Sequence, residues 1–352
     1  SLSATVLTVQ VRAHFQCDLN VRAVFEAPTI AAFASKLGIK DDEVPASPAP
    51  SERNWVLVED NLARLDSPHV AAHDIVLVPG AGGSAEVFNG IALSLPAGQA
   101  NVFVLHHDGI DNEADPLGCF VAMAEKYAPQ VLRHSTGRIL LAGYCVGGLI
   151  AFEMAQVLQR LGVAESRLCF IDTAMVPADY TFQPFDEAYF KGEFFKAICD
   201  TYSRVGDAVS SHTFDGMPLE ECVAFAVRRM DLHDPTEHAI WHAILRQRYL
   251  AEKYHALATR KYWIDHHADG RKFGEPAGGG REPFMARIIE SDEIGCMNSW
   301  ANSCFVGSVV DQFEGKHLAI LKNHESDIAN ALFEFINTPE INAMTETAEY
   351  DS

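Results

Sequence analysis

Residues 138–162 read RILLAGYCVGGLIAFEMAQVLQRLG, and this stretch decides the fold. Arg138 to Gly143 is a short apolar run of strand length, and the segment from Leu149 onward returns apolar residues at helical spacing. Between them Gly143-Tyr144-Cys145-Val146-Gly147 must reverse from strand to helix within a few residues. Such a turn needs small residues two before and two after its central residue, because the backbone passes too close for a side chain there. Gly143 and Gly147 meet that need and leave Cys145 projecting at a helix N-terminus, where the dipole favours an anionic sulfur. A buried, inert thiol in a glycine-bearing turn is the bland alternative. The strand before, the helix after and the residues further along favour a nucleophile elbow.

Similar apolar runs lie on both sides: Asp74 to Pro79 (DIVLVP), Asn101 to Leu105 (NVFVL), Arg167 to Asp172 (RLCFID) and Phe284 to Glu290 (FMARIIE). Near-continuous apolar strands alternating with helices predict an α/β fold, a mostly parallel, doubly wound sheet covered on both faces. From about residue 180 to 280 the strand signals stop and the sequence turns helical and aromatic, ending in a glycine-rich stretch at Gly274 to Gly280. A helical insertion between two strands of one sheet is placed to act as a lid over the strands' carboxyl ends, where open α/β sheets bind ligands. Its aromatics Phe194, Phe195, Trp241 and Tyr249 read as lid core rather than ligand contacts.

An activated nucleophile of this kind is followed in the chain by an acid and then a histidine. Asp172 stands at the carboxyl end of the strand after the elbow, and Asp292, just beyond FMARIIE, is the rival acid. His317, in the loop Phe313-Glu314-Gly315-Lys316-His317 before the terminal helix, is the expected base and His324 its rival. His238 and His242 have i, i+4 spacing but no third ligand at suitable spacing, which favours a solvated helix face over a metal pair. An oxyanion hole takes two backbone N–H groups, expected from Val146 and from Ala81 in the loop Pro79-Gly80-Ala81-Gly82-Gly83-Ser84. That loop lacks the GxxxxGK[ST] pattern of a nucleotide site.

The chain has 352 residues, a net charge of −21, and 48% apolar against 21% charged residues. This is globular composition, and the negative field argues against nucleic acid and anionic membranes as partners. No apolar run has the length of a spanning helix and no signal peptide is recognised, so the expected setting is cytoplasmic. The eight cysteines, at 17, 119, 145, 169, 199, 222, 296 and 304, lack metal-ligand or disulfide-framework spacing, and no metal is expected. Leu2, Val6, Val9, Val11 and Phe15, then Pro28-Thr29 leading to Phe33 and Leu37, predict a small helical unit over residues 1–40, read as part of a domain. Asp41 to Arg53 (DDEVPASPAPSER), with three prolines, reads as a semi-stiff linker. The main domain is then expected over residues 54–340, with a tail at 341–352.

With VPGAGGSAEVF, LLAGYCVGGLIAFEMA, FIDTA and EGKHLAIL in hand, the large domain resembles the type I thioesterases that end nonribosomal peptide synthetase assembly lines. The resemblance implies an α/β-hydrolase fold with a helical lid insertion, preceded by a partial helical carrier domain. It carries the nucleophile onto Cys145, the acid onto Asp172, the base onto His317 and the oxyanion donors onto Ala81 and Val146. The segment SLSAT followed by LNVRAVFEAPTIAAFASKLG resembles the second half of a peptidyl carrier domain, which places the 4'-phosphopantetheine arm on Ser1. Upstream carrier and synthetase modules are the implied partners, and a peptidyl or acyl thioester the implied substrate. Most such thioesterases use Ser. A minority resembling this chain use Cys, and some of those close β-lactone or β-lactam rings. The function implied is release of a carrier-bound thioester through a Cys-linked acyl-enzyme, by cyclisation or hydrolysis. A hydrolytic proofreading thioesterase and a non-catalytic carrier-binding module are the alternatives.

Overall fold

The computed structural model describes residues 55–66, 71–109, 117–163, 165–176, 180–202, 209–230, 235–269, 284–295, 305–317 and 319–339, together with Phe33, Leu232 and Phe273. The expected linker, the tail, and the carrier unit with Ser1, apart from Phe33, lie outside the described residues.

Among the described residues eight strands form one sheet in the order β1-β2-β4-β3-β5-β6-β7-β8. They are β1 (Trp55–Glu59), β2 (Leu62–Leu65), β3 (His73–Val78), β4 (Asn101–Leu105), β5 (Arg138–Tyr144), β6 (Ser166–Ile171), β7 (Met285–Ser291) and β8 (Val306–Phe313). From β4 to β8 every pairing is parallel, and β1 and β2 add an antiparallel hairpin at one edge. That hairpin, whose strands flank a two-residue Asp60-Asn61 turn, was not among the strand runs singled out above; Arg64 interrupts β2, and β1 lies directly after the expected linker.

The helices are α1 (Asn89–Ser94), α2 (Phe120–His134), α3 (Gly147–Arg160), α4 (Glu187–Tyr202), α5 (Leu219–Arg229), α6 (Pro235–Ala268), α7 (Asp292–Gly295), α8 (Ile320–Asn323) and α9 (Glu325–Asn337). The strands' period of two divides the core. Val76, Val78, Ile139, Leu141, Leu168 and Phe170 pack with α2, α3 and the end of α6, whereas Ile75, Leu77, Leu140, Ala142, Cys169 and Ile171 pack with α1 and α9. Both faces of the sheet are therefore covered, which is why its central strands are apolar throughout. Arg167 pins α9 by donating to the carbonyls of Phe335 in the helix's last turn and of Thr338 just beyond it.

Helices α4, α5 and α6 fall between β6 and β7, which pair directly. They hold a separate apolar cluster in which Phe194, Phe195 and Tyr249 are buried and Trp241 packs alongside. This is the helical excursion expected between residues 180 and 280.

Candidate active site

The register of the central strands brings two chain ends level. Tyr144 of β5 pairs with Ile171 of β6, so Cys145 and Asp172 are the next residues out on neighbouring strands. Both have left-handed backbone, with φ of 56° and 49°. This conformation is costly for a side-chain-bearing residue, by about 1–3 kcal/mol. It is held here by the Cys145 N–H donating to the Ile171 carbonyl at 2.9 Å and the Asp172 N–H donating to the Ile289 carbonyl at 2.7 Å.

The glycines of the elbow answer a close approach of backbone. A Cβ on Gly143 would stand 2.3 Å from the Gly147 carbonyl oxygen, and one on Gly147 would stand 2.3 Å from the Val78 carbonyl oxygen. Neither position has room for a methyl group, so the strand-to-helix turn can close only over glycine at both.

His317, four residues beyond β8, points its Nδ1 at Asp172 Oδ2 at 2.7 Å. Cys145 lies close enough for its sulfur to help the imidazole hold its proton. Asp172 is fully buried, and its carboxylate accepts from the Ser291 N–H at 2.7 Å and the Ser291 hydroxyl at 2.8 Å. Burial opposes ionisation of Asp172, but the hydrogen bonds from His317 and Ser291 outweigh it and hold the carboxyl below its ordinary value of 3.8. Burial likewise opposes protonation of His317. The hydrogen bond to Asp172, the nearby Cys145 sulfur and the charges of both overcome it and push the imidazole up to about 10.

The rivals are engaged elsewhere. Asp292 Oδ2 accepts from the Gly315 N–H at 3.2 Å, and His324 Nε2 lies 2.8 Å from the Glu314 carbonyl. His242 faces Glu220 at 3.6 Å on the exposed side of α6. Among the described residues no group of three or more His, Cys, Asp or Glu could hold a metal ion, and no helix is long and apolar enough to cross a membrane.

Ala81 is exposed in the loop after β3, and Val146 directly precedes α3. The loop abuts the elbow, since a Cβ on Gly80 would lie 2.8 Å from Cys145 Cβ. The next two amides of the loop are taken: Gly83 N–H donates to the Gly80 carbonyl at 3.0 Å and Gly82 N–H to His255 Nδ1 at 3.2 Å.

Several neighbours of the site escaped the sequence reading. Ser291 holds Asp172, and Glu293 accepts from the His317 N–H at 2.9 Å. Tyr144 stacks its ring on His317 at 5.0 Å and donates its hydroxyl to the His317 carbonyl at 2.7 Å. Tyr144 stood inside the elbow motif and could have been singled out. Ser291 and His255 carry no local signal.

Residues 73–180 match the family profile described as thioesterase domain, and that span contains the loop, the elbow and Asp172. Residues 1–37 match the phosphopantetheine attachment site, which gives the chain a covalently attached 4'-phosphopantetheine. The chain is similar to malpinin synthetase of Mortierella alpina, at 29% identity over 197 residues, 53% of this chain and 2% of that protein. It thus spans a small fraction of that relative's length. Among solved structures, the four-domain nonribosomal peptide synthetase AB3403 is similar over 95% of this chain and 23% of its own, with 14% identity and a TM-score of 0.56. The Vlm2 thioesterase domain is similar over 79% of this chain and 99% of its own, with 19% identity and a TM-score of 0.51. These two likenesses establish the fold. That fold is α/β-hydrolase-like.

Proposed function

We propose that the thioesterase domain releases a carrier-bound peptidyl or acyl thioester through an acyl-enzyme on Cys145, by intramolecular cyclisation or by hydrolysis. The observation that carries this reading is the 2.7 Å contact between His317 Nδ1 and Asp172 Oδ2 beside Cys145, which leaves the neighbouring strand end level with Asp172. The accompanying domain reading is a partial carrier unit over 1–40 with the arm on Ser1, a linker over 41–53, the thioesterase over 54–340 with its lid near 180–280, and a tail over 341–352. A carrier fused through a short linker presents substrate at high effective concentration. Upstream synthetase modules in a cytoplasmic setting complete the proposed context.

Cys145 Sγ attacks the thioester carbonyl while the Ala81 and Val146 N–H groups receive the developing oxyanion. Collapse breaks the bond to the carrier sulfur, and His317, which keeps its proton near neutrality, hands it to that leaving sulfur. Two of the causes that hold the His317 proton originate at Cys145. Acylation ties the sulfur up as a thioester and ends its support of the imidazole's proton, and the imidazole serves as base in the second step. It then takes a proton from an amine, hydroxyl or water that attacks the acyl group, and Cys145 leaves.

A cysteine nucleophile has a consequence for the product. Transfer from the carrier thiol to Cys145 exchanges one thioester for another, so the acyl group keeps its activation, whereas a serine ester would be a weaker donor. That activation favours closure of a strained β-lactam or β-lactone ring in a pocket that holds the internal nucleophile against the carbonyl and excludes water.

The test is mass spectrometry of the protein and of the product after incubation with a synthetic pantetheine thioester. An acyl adduct on Cys145, absent from Cys145→Ala, is expected. An adduct persisting in Cys145→Ala would exclude the reading, and a cyclic product separates ring closure from hydrolysis.

A further inference from the structure

The loop that bears Ala81 is fixed by groups from two other elements. Gly82 and Gly83 turn left-handed, with φ of 83° and 65°. The Gly82 N–H donates to Nδ1 of His255, a residue of α6, at 3.2 Å. The His107 N–H makes a long contact of 3.5 Å to the Gly83 carbonyl. His107 Nδ1 and His255 Nε2 are themselves 3.2 Å apart, with the rings edge to face at 5.1 Å between centroids. Both histidines are buried, at 3% and 1% exposure.

The tautomers follow from the donor at the head of this chain. A backbone N–H can only donate, so His255 Nδ1 is a bare acceptor and its proton sits on Nε2. Nε2–H then donates to His107 Nδ1, which leaves the second ring's proton on its own Nε2. Both rings are therefore neutral, in keeping with burial, which lowers His255 to about 4 and lowers His107 strongly. Tyr127 stacks parallel to His107 at 5.9 Å and fixes the far end. His255 is the member of this chain that comes from the helical insertion, 173 residues from Gly82 in sequence.

We propose that His255 is a positioning residue that couples α6 to the oxyanion loop, so that the Ala81 N–H stands in register with Cys145 only when α6 is seated. The proposal rests on the functional reading above. It makes the inserted helices part of the catalytic apparatus: the part of α6 that packs into the sheet's core carries the acceptor that fixes the loop.

The test compares His255→Ala, His255→Asn and His255→Gln. Asparagine can present its oxygen near the position of Nδ1 and keep the Gly82 contact, whereas glutamine reaches the position of Nε2 and loses it. With octanoyl-pantetheine as probe, His255→Ala is expected to lower kcat about tenfold to a hundredfold with KM within about twofold. His255→Asn should recover to within about threefold of wild type, and His255→Gln should not. Amide hydrogen exchange over residues 79–84 should accelerate in the alanine variant and return in the asparagine variant. Alkylation of Cys145 by iodoacetamide, which needs no oxyanion hole, should stay unchanged in all three. Unaltered loop exchange in His255→Ala, or equal impairment of the asparagine and glutamine variants, would overturn the coupling. Faster loop exchange in a protein whose wild type forms no Cys145 adduct would instead overturn the functional reading, and with it the catalytic role of His255.

Discussion

Cys145 and Asp172 are the two non-glycine residues among those described whose backbone turns left-handed, and they leave the sheet side by side. The paired strand ends hold both in a conformation that an isolated chain would avoid. His317 arrives from beyond β8 and meets the Asp172 carboxylate at 2.7 Å beside Cys145. Strain at two adjacent strand ends thus accompanies the approach of the three groups.

Replacing Cys145 should separate stability from chemistry. Cys145→Gly relieves the left-handed penalty and should unfold at a higher temperature than Cys145→Ala, by an amount equivalent to about 1 kcal/mol. Both should lose acyl-adduct formation. Thermal melts of the two variants at one pH check this, and equal melting temperatures would remove backbone strain from the account of the elbow.

The acid can be assigned by paired substitution. Asp172→Asn should lower acyl-transfer kcat by about 10⁴-fold, through loss of the group that orients and charges His317. Asp292→Asn, whose carboxylate caps Gly315 instead, should change kcat by less than about threefold. Ser291→Ala removes one hydroxyl donor from Asp172 and should fall between them, with stability lower by about 1 kcal/mol. Steady-state kinetics on one thioester probe would settle the order.

The His317 proton gives the pH dependence its sign. Its folded value, about 10, lies above the ordinary 6.5, so its contribution to stability is complete below about 6.5 and is lost as pH rises through 10. Asp172 is shifted the other way: its contribution is complete above its ordinary 3.8 and is lost as pH falls through the lower folded value. The difference in melting temperature between wild type and His317→Gln should therefore be largest near pH 6 and shrink towards pH 10.5. A difference that stays flat across that range would contradict the charge arrangement.

Glycines of different surroundings should respond differently to alanine. Gly147→Ala drives a methyl into two backbone carbonyls and should cost about 3 kcal/mol or more, because backbone on both sides must shift. Gly162→Ala, with φ of 91° and open space around it, meets only the left-handed penalty of about 1–2 kcal/mol. Denaturant titrations of the pair would show whether close approach or conformation governs the elbow.

Much of this arrangement was legible beforehand because it is written in short-range rules. Apolar runs marked the central strands, and the spacing of Gly143 and Gly147 marked the turn that presents Cys145. The β1–β2 hairpin escaped because Arg64 interrupts the four residues of β2, and without it β1 has no strand beside it to mark an edge. Ser291 and Glu293 escaped for a different reason. Each supports the site through its place at the end of β7, and their partners Asp172 and His317 come from other strands.

By itself the sequence determined the class of sheet and the elbow, which follow from residues close together along the chain, and the order of cysteine, aspartate and histidine, which is read directly from their numbers. Which acid meets which histidine was decided only by the tertiary structure. Pairing of β5, β6, β7 and β8 brings Asp172 within 2.7 Å of His317 while Asp292 turns to Gly315. The contact between His255 and Gly82 belongs to the same category. It spans 173 residues and exists because α6 packs back over the sheet's carboxyl edge, a placement governed by burial of distant side chains rather than by any local pattern.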